Sequence, residues 1–262
     1  MVGYLYAMRL GAEVIYDTDD DNIPLSCWAH LPDEGKYQTL TNPGFFNIYS
    51  SFSNKKVWPR GLPLDEILLK KAPRKTLRFS RIGIWQHLAN GDPDVDAIYR
   101  LTNNTPVFFN PARPLVLEAG AVCPINSQNT FFHKAAFPLL FLPAFVTFRF
   151  TDILRGLVAQ PILWNSGLRV GFGKATVVQK RNPHDYIKDF ASEIPVFLHS
   201  RSVIERSIAA VKVGASIPEN LINVYSELLR ASIVTKKETQ LLYDWCEDIS
   251  SIARIGARSP KI

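Results

Sequence analysis

Residues 3–21 run from an apolar-faced helix pattern through a β-type run into an acidic turn, and that order narrows the fold more than any bulk property. GYLYAMRLGA (Gly3–Ala12) puts Leu5, Met8 and Ala12 on one helical face and stops near Gly11. EVIY (Glu13–Tyr16) reads as a short buried strand. Asp17, Asp19, Asp20 and Asp21 then place four carboxylates in five positions. A helix feeding a strand that ends in polar residues is half of a βαβ unit, so an α/β fold is expected. The first strand of that unit is missing from the N-terminus.

Carboxylates roughly 6 Å apart repel by about 3 kcal/mol per pair at an effective dielectric of about 20. A chain accepts that cost on a solvated loop, or where a divalent cation sits. Asp-x-Asp after a strand suits a hard cation such as Mg²⁺ or Mn²⁺, which prefers oxygen ligands and bridges to phosphate. An acidic group at a strand's C-terminal end is also where open α/β sheets bind ligands. The EF-hand loop is excluded, because its glycine and terminal glutamate are absent at the needed spacing.

Downstream, residues 25–80 are rich in Pro, Gly, Asn and Ser and read as loops with short elements. LPLDEILLKKA (Leu62–Ala72) reads as a helix with Pro63 in its first turn. RIGIWQHL (Arg81–Leu88) and DAIYRLT (Asp96–Thr102) read as strands. TFFHKAAF (Thr130–Phe137) and TDILRGLVAQPILW (Thr151–Trp164) read as helices, the second capped by Thr151 or Asp152 and ended or kinked at Pro161. LRVGFGKATVVQK (Leu168–Lys180) is strand material. From Asp185 the pattern becomes helical and amphipathic. The expected division is an α/β body over 1–184 and a helical region over 185–262.

With 262 residues, 47% hydrophobic and 21% charged, the chain has the composition of a globular protein with a real core. Its net charge of +6 suits a phosphate-bearing ligand or an anionic membrane surface. It is too weak and dispersed for nucleic acid, and the one basic run, LKKAPRKTLRFSR (Leu69–Arg81), suits a solvated loop or helix end. Three widely spaced cysteines give no disulfide framework or zinc ribbon, though one bridge stays open. The longest apolar run, Ala135–Phe148, is too short for a bilayer and carries two prolines. No signal peptide precedes the first motif, so the chain is expected to be soluble as given, or to follow an upstream anchor.

Three further stretches carry candidate chemistry. RFTDILRGL places Asp152 and Arg155 on one helix face, which suits either a surface ion pair or a carboxylate beside a phosphate-binding guanidinium. CPINSQNTFFH gathers Asn126, Ser127, Gln128, Asn129 and His133: a helix N-cap with a satisfied histidine, or a hydrogen-bonding wall for sugar hydroxyls. His87 and His184 stand alone and suit structural or exposed positions. No Walker loop, G-x-G-x-x-G or Ser-His-Asp order occurs.

Taken together, GYLYAMRLGAEVIYDTDDDN, CPINSQNTFFHKAAF and FTDILRGLVAQPILW resemble the STELLO family of Golgi glycosyltransferase-like proteins. More distantly, Gly3-Tyr4, Asp19–Asp21, FFN (Phe45–Asn47), RGLP (Arg60–Pro63) and PDVDA (Pro93–Ala97) are similar, in the same order, to the plant reversibly glycosylated polypeptides, which are UDP-arabinopyranose mutases. The resemblance covers Gly3 to about Asp185. It implies a GT-A-like, Rossmann-related mixed sheet flanked by helices, with a helical C-terminal part. Asp19 and Asp21 would hold Mn²⁺ or Mg²⁺ on the diphosphate of a UDP-sugar. Asp152 and Arg155 would be catalytic, the first orienting or deprotonating a glycan or other hydroxyl acceptor. Arg149 or Arg155 would add electrostatic stabilisation, and Arg60, Asn126, Ser127, Gln128, Asn129 and Arg149 would bind substrate.

The resemblance also implies a Golgi setting and, in the alternative, a non-catalytic assembly protein with protein partners, or a sugar-nucleotide mutase. Three departures accompany it. Ile67 stands where the second arginine of the mutase motif is expected, which weakens autoglycosylation at Arg60. Gln179 stands where a late-strand metal ligand, often histidine, is expected, and either Gln179 or the nearby His184 would substitute as the third ligand. The upstream strand that contributes to the base site is not in this chain.

Overall fold

A computed structural model describes residues 1–69, 74–103 and 105–258, the side chains of the last four excepted. In chain order the elements are α1 (Val2–Arg9), β1 (Val14–Thr18), β2 (Asn22–Pro24), β3 (Glu34–Leu40), β4 (Gly44–Phe45), β5 (Lys75–Asn90), α2 (Ala97–Thr102), β6 (Leu115–Leu117), β7 (Ala121–Val122), β8 (Asn129–His133), α3 (Thr151–Asn165), β9 (Leu168–Gln179), α4 (Tyr186–Ala210), α5 (Ile217–Arg230) and α6 (Lys236–Arg258). Seven strands form one mixed sheet, and β4 and β7 form a separate two-stranded piece. The architecture is mixed α/β with a helical C-terminal part, consistent with a GT-A-like fold.

Strand direction decides where a ligand sits. β1 and β5 each run antiparallel to β8, so they are parallel to one another. β5 is also parallel to β9. Three parallel strands therefore end at the same edge of the sheet, the edge at which open α/β sheets take ligands. The acidic turn joins β1 to β2, which pairs with the end of β9, so Asp19–Asp21 lie across that edge. Among the described residues, the other side of β1 has no paired strand.

The sheet centre is built for close approach. β5 is buried on both faces from Ile82 to Ala89. On its neighbour, a Cβ added to Gly171 would come within 2.2 Å of the Trp85 ring, and one on Gly173 within 2.8 Å of the His87 ring. The Gly-x-Gly in VGFGKA thus makes room for two large rings on the adjoining strand.

One face of the sheet carries α3 and, beyond it, α4–α6. Val196, Val203, Leu221, Val224, Tyr225, Leu228 and Trp245 from these C-terminal helices share one apolar cluster with Ile84, Leu88 and Ile153 of the body. Ser216 and Glu219 form a reciprocal capping box at the start of α5. The opposite face holds a smaller cluster of Ile82, Trp85, Val116 and Phe131. Tyr16 stacks on Phe131 there, with ring centroids 4.5 Å apart, and Trp28 meets Tyr16 edge-on.

Several elements differ from the sequence expectation. Residues 97–102 form a helix, because the Asp96 carboxylate caps it by accepting from the Tyr99 amide at 2.8 Å. Residues 129–133 form a strand, because they fill the gap between β1 and β5, and a 3-10 helix follows at Lys134–Leu140. The 62–72 helix is reduced to a 3-10 turn at Leu64–Glu66, with 70–73 outside the described residues. Thr151 and Asp152 do not cap α3, which follows directly on a 3-10 turn at Phe148–Phe150, and Pro161 lies inside it without ending it. All three cysteines are free thiols. Among the described residues no helix is long and apolar enough to cross a membrane.

Candidate active site

A cavity of about 360 Å³ opens at the shared carboxyl edge of β1, β5 and β9. Each wall comes from a strand end or a helix start. Asp19–Asp21 follow β1, Asp94 follows β5, Ser127 and Gln128 precede β8, and Gln179, Arg181 and His184 close β9. Arg149, Thr151 and Asp152 come from the start of α3, and Arg60 from the loop before Leu64. Five carboxylates therefore face three guanidiniums and one imidazole around the cavity.

Close contact places α3 against this wall. A Cβ on Gly156 would lie 2.2 Å from the Ile125 carbonyl oxygen. The missing side chain lets the 123–128 segment touch the helix, so that the Ser127 amide donates to Asp152 Oδ2 at 3.2 Å. On the neighbouring turn, Gly61 has φ +90°, a left-handed conformation that glycine adopts without strain.

Arg60 is the hub of the cavity floor. Its Nε and Nη2 donate to Asp94 at 2.9 Å each, its Nη1 and Nη2 donate to Asp152 at 3.0 and 2.8 Å, and Nη1 also meets the Arg149 carbonyl. All five N–H groups of the guanidinium are engaged. Burial disfavours the Asp152 charge, but Arg60, Arg155 and the Ser127 amide outweigh it and hold its carboxyl below the usual range. Arg149 in turn donates from Nε at 2.9 Å to Glu193, a fully buried carboxylate on α4 that also accepts from the Ala97 amide at 2.7 Å.

Asp19 is perturbed the other way. Burial, then the neighbouring charges of Asp94, Asp152 and Asp21, push its carboxyl up to about 6, with Arg181 opposing. Between the two aspartates sits the Gln179 amide, whose Nε2 donates to Asp19 Oδ2 at 2.9 Å and to Asp21 Oδ1 at 2.8 Å. Two carboxylate oxygens thus converge on one point, and Asp19 resists a bare charge there. This oxygen donor set suits a hard divalent cation. The nearest neighbour is an N–H group, and no set of three His, Cys, Asp or Glu able to hold a metal occurs among the described residues.

The other candidate residues fall into two groups. Ser127, Gln128, Arg149, Asp152, Arg60 and His184 line the cavity, and His184 Nδ1 pairs with Asp189 at 3.1 Å on the α4 side. Arg155, Asn126 and Asn129 lie behind it. Arg155 donates to Asp17 at 2.7 Å and Ser127 Oγ at 2.9 Å. Burial works against its charge, while Asp17 and Tyr4 carry its pKa above the ordinary value. Asn129 is fully buried and donates to the Leu88 carbonyl at 2.8 Å, knitting β8 to β5. Asn126 Oδ1 accepts from the Gln128 amide at 3.0 Å and shapes the turn. His87 is a buried sheet residue that does not line the cavity.

Arg181 and Phe148 do not stand out in the sequence, and Asp94 enters there only inside PDVDA, with no role of its own. Asp94 shares Arg60 with Asp152, Arg181 Nε meets Asp92 at 2.8 Å, and Phe148 stands 85% exposed at the cavity rim. The signal available was positional: GDPDVD and QKR each follow a strand at the ligand-bearing edge.

Comparison with known proteins finds one family. The family model described as STELLO glycosyltransferases matches residues 149–261, which include Arg149, Asp152, Arg155 and Gln179. Over the whole chain, two proteins of Arabidopsis thaliana, "Probable glycosyltransferase STELLO1" and "Probable glycosyltransferase STELLO2", are each 27% identical across 291 aligned positions. The chain spans only 36% of the length of each relative. The chain is thus similar to STELLO glycosyltransferases, through the family model over residues 149–261 and through the two relatives over its full length.

Proposed function

We propose that the cavity binds a nucleotide sugar and that the chain carries the glycosyl-transfer site of a longer STELLO-like protein. The observation that carries this reading is that Asp19, Asp21, Arg149, Asp152 and Arg181 line one cavity at the carboxyl edge of three parallel strands. A UDP-sugar is the donor this site suits, and a glycan or other hydroxyl compound the acceptor. Asp19 and Asp21 would hold Mn²⁺ or Mg²⁺, which when bound would neutralise charge building on the leaving diphosphate.

The chain's own residues divide the remaining work. Arg149 and Arg181 present guanidinium charge to the phosphates. Asp152, ionised and held on both oxygens, orients an acceptor hydroxyl rather than removing its proton, because its depressed pKa makes it a weak base. Phe148 offers an exposed ring at the rim on which a sugar or base can pack. Arg60 sets the geometry of Asp94 and Asp152, and its fully engaged N–H groups leave none for a sugar. That weighs against the mutase alternative. Gln179 in place of a metal-ligating side chain favours the second alternative, a non-catalytic assembly protein with protein partners. A Golgi setting follows from the resemblance, and a fluorescent fusion of the full-length protein tests it.

Calorimetric titration of UDP and a panel of UDP-sugars, with and without Mn²⁺, tests the site. Manganese-dependent binding by the wild-type chain and its loss in Asp21→Ala is the expected result. UDP-sugar binding that is equal in both chains would remove the acidic turn from the site, and absence of binding by either would favour the assembly role.

A further inference from the structure

We propose that Gln179 is an internal latch on the cation position: its amide N–H₂ bridges Asp19 and Asp21, and a divalent cation must displace it to bind. The inference rests on the reading that Asp19 and Asp21 receive such a cation, and it adds how access to them is controlled.

Both hydrogens of the Gln179 Nε2 are used, one on Asp19 Oδ2 at 2.9 Å and one on Asp21 Oδ1 at 2.8 Å. A Mg²⁺ ion needs carboxylate oxygens at about 2.0–2.1 Å, so it cannot share that point with an amide nitrogen. The orientation of the amide follows from a chain of groups with fixed roles. The Asp94 backbone N–H can only donate, and it donates to Gln128 Oε1 at 3.0 Å. The Gln128 Nε2 therefore faces the Asp92 carbonyl, at 3.0 Å, and the Oε1 of Gln179. Arg181 Nη2 approaches the same Oε1 at 3.5 Å. Turning the Gln179 amide over would set two NH₂ groups against each other and its oxygen against two carboxylates. The latch is also fixed in the backbone, since Gln179 at the end of β9 is in register with Asn22, one residue beyond Asp21.

A ligand and a latch give opposite mutational signs. Removing a ligand weakens cation binding, whereas removing a latch strengthens it. The test is calorimetric titration of MnCl₂ alone into the full chain, its Gln179→Ala and Gln128→Leu variants, and Asp21→Ala. Gln179→Ala is expected to bind Mn²⁺ about tenfold more tightly than wild type, the scale of one charge-assisted hydrogen bond released. Gln128→Leu frees the amide to turn its oxygen outward and is expected to tighten binding too, which keeps the test available if one variant fails to melt cooperatively. Equal or weaker Mn²⁺ binding by both variants overturns the latch. Failure of every chain, wild type included, to bind Mn²⁺ overturns the cation reading and the latch with it, while UDP binding measured without metal then decides separately whether the cavity is a nucleotide site.

Discussion

At the residue scale, buried charge is arranged rather than avoided. Arg60 lies between Asp94 and Asp152, and each carboxylate accepts two hydrogen bonds from it. Lysine has one ammonium and cannot bridge two carboxylates in this way. Arg60→Lys should therefore lower stability by about 2–4 kcal/mol in urea denaturation, since it leaves buried carboxylates partly unpaired. A change within about 0.5 kcal/mol would contradict the hub, as that is the range of ordinary surface substitutions. His87 supplies a pH test away from the cavity. Burial, then the charge of Lys174, depresses its pKa to about 4. The native imidazole stays neutral while the unfolded chain takes up a proton below about 6.5. The group's contribution is thus intact above pH 6.5 and is lost as pH falls from 6.5 towards 4. Wild type should lose stability relative to His87→Leu over that window, by roughly 1.4 kcal/mol per pH unit at most. A constant difference in melting temperature from pH 7 to 4.5 would refute it.

At the element scale, α3 and β9 do the positioning. Gly156→Ala would push a methyl into the Ile125 carbonyl, against backbone that cannot swing aside. It should separate α3 from the 123–128 segment, cost about 1–3 kcal/mol as overpacking does, and weaken nucleotide binding through Ser127 and Asp152. Unchanged stability and binding would show that the contact is not needed. The amphipathic helices α5 and α6 were legible because their periodicity is long and matches their burial, and the apolar runs at 13–16, 81–88 and 168–180 were legible as strand material in β1, β5 and β9, although residues 75–80 of β5 read as loop. The helix at 97–102 was misread because Ile98, Tyr99 and Thr102 favour strands, while one side-chain cap from Asp96 decided the matter. The strand at 129–133 was misread because its partners, β1 and β5, are distant in sequence. The site divides in the same way. Asp19, Asp21, Asp152 and Arg60 stood out within local motifs, whereas Asp94 and Arg181 acquire meaning only when three strand ends meet.

At the scale of the whole molecule, the excess positive charge and the local charge differ in sign. The chain carries +6 overall, yet its cavity sets five carboxylates against three guanidiniums. A diphosphate alone would meet net repulsion there, which a cation on Asp19 and Asp21 would offset. The C-terminal helices are tied to the same cavity through Glu193, which joins α4 to the Ala97 amide and to Arg149. Glu193→Ala should lose about 3–5 kcal/mol of stability, because it leaves the buried Arg149 charge without its partner. If denaturation and UDP affinity are both unaffected, the helical region does not support the site.

The most direct measurement is a crystal of the chain soaked with UDP and MnCl₂. Diphosphate density is expected in the cavity beside Asp19–Asp21 and within reach of Arg149 and Arg181, with the metal touching Asp19 and Asp21 and the Gln179 amide turned away from them. Density for the nucleotide elsewhere on the molecule, or a nucleotide in the cavity with Gln179 still bonded to both aspartates and no metal beside them, would contradict it.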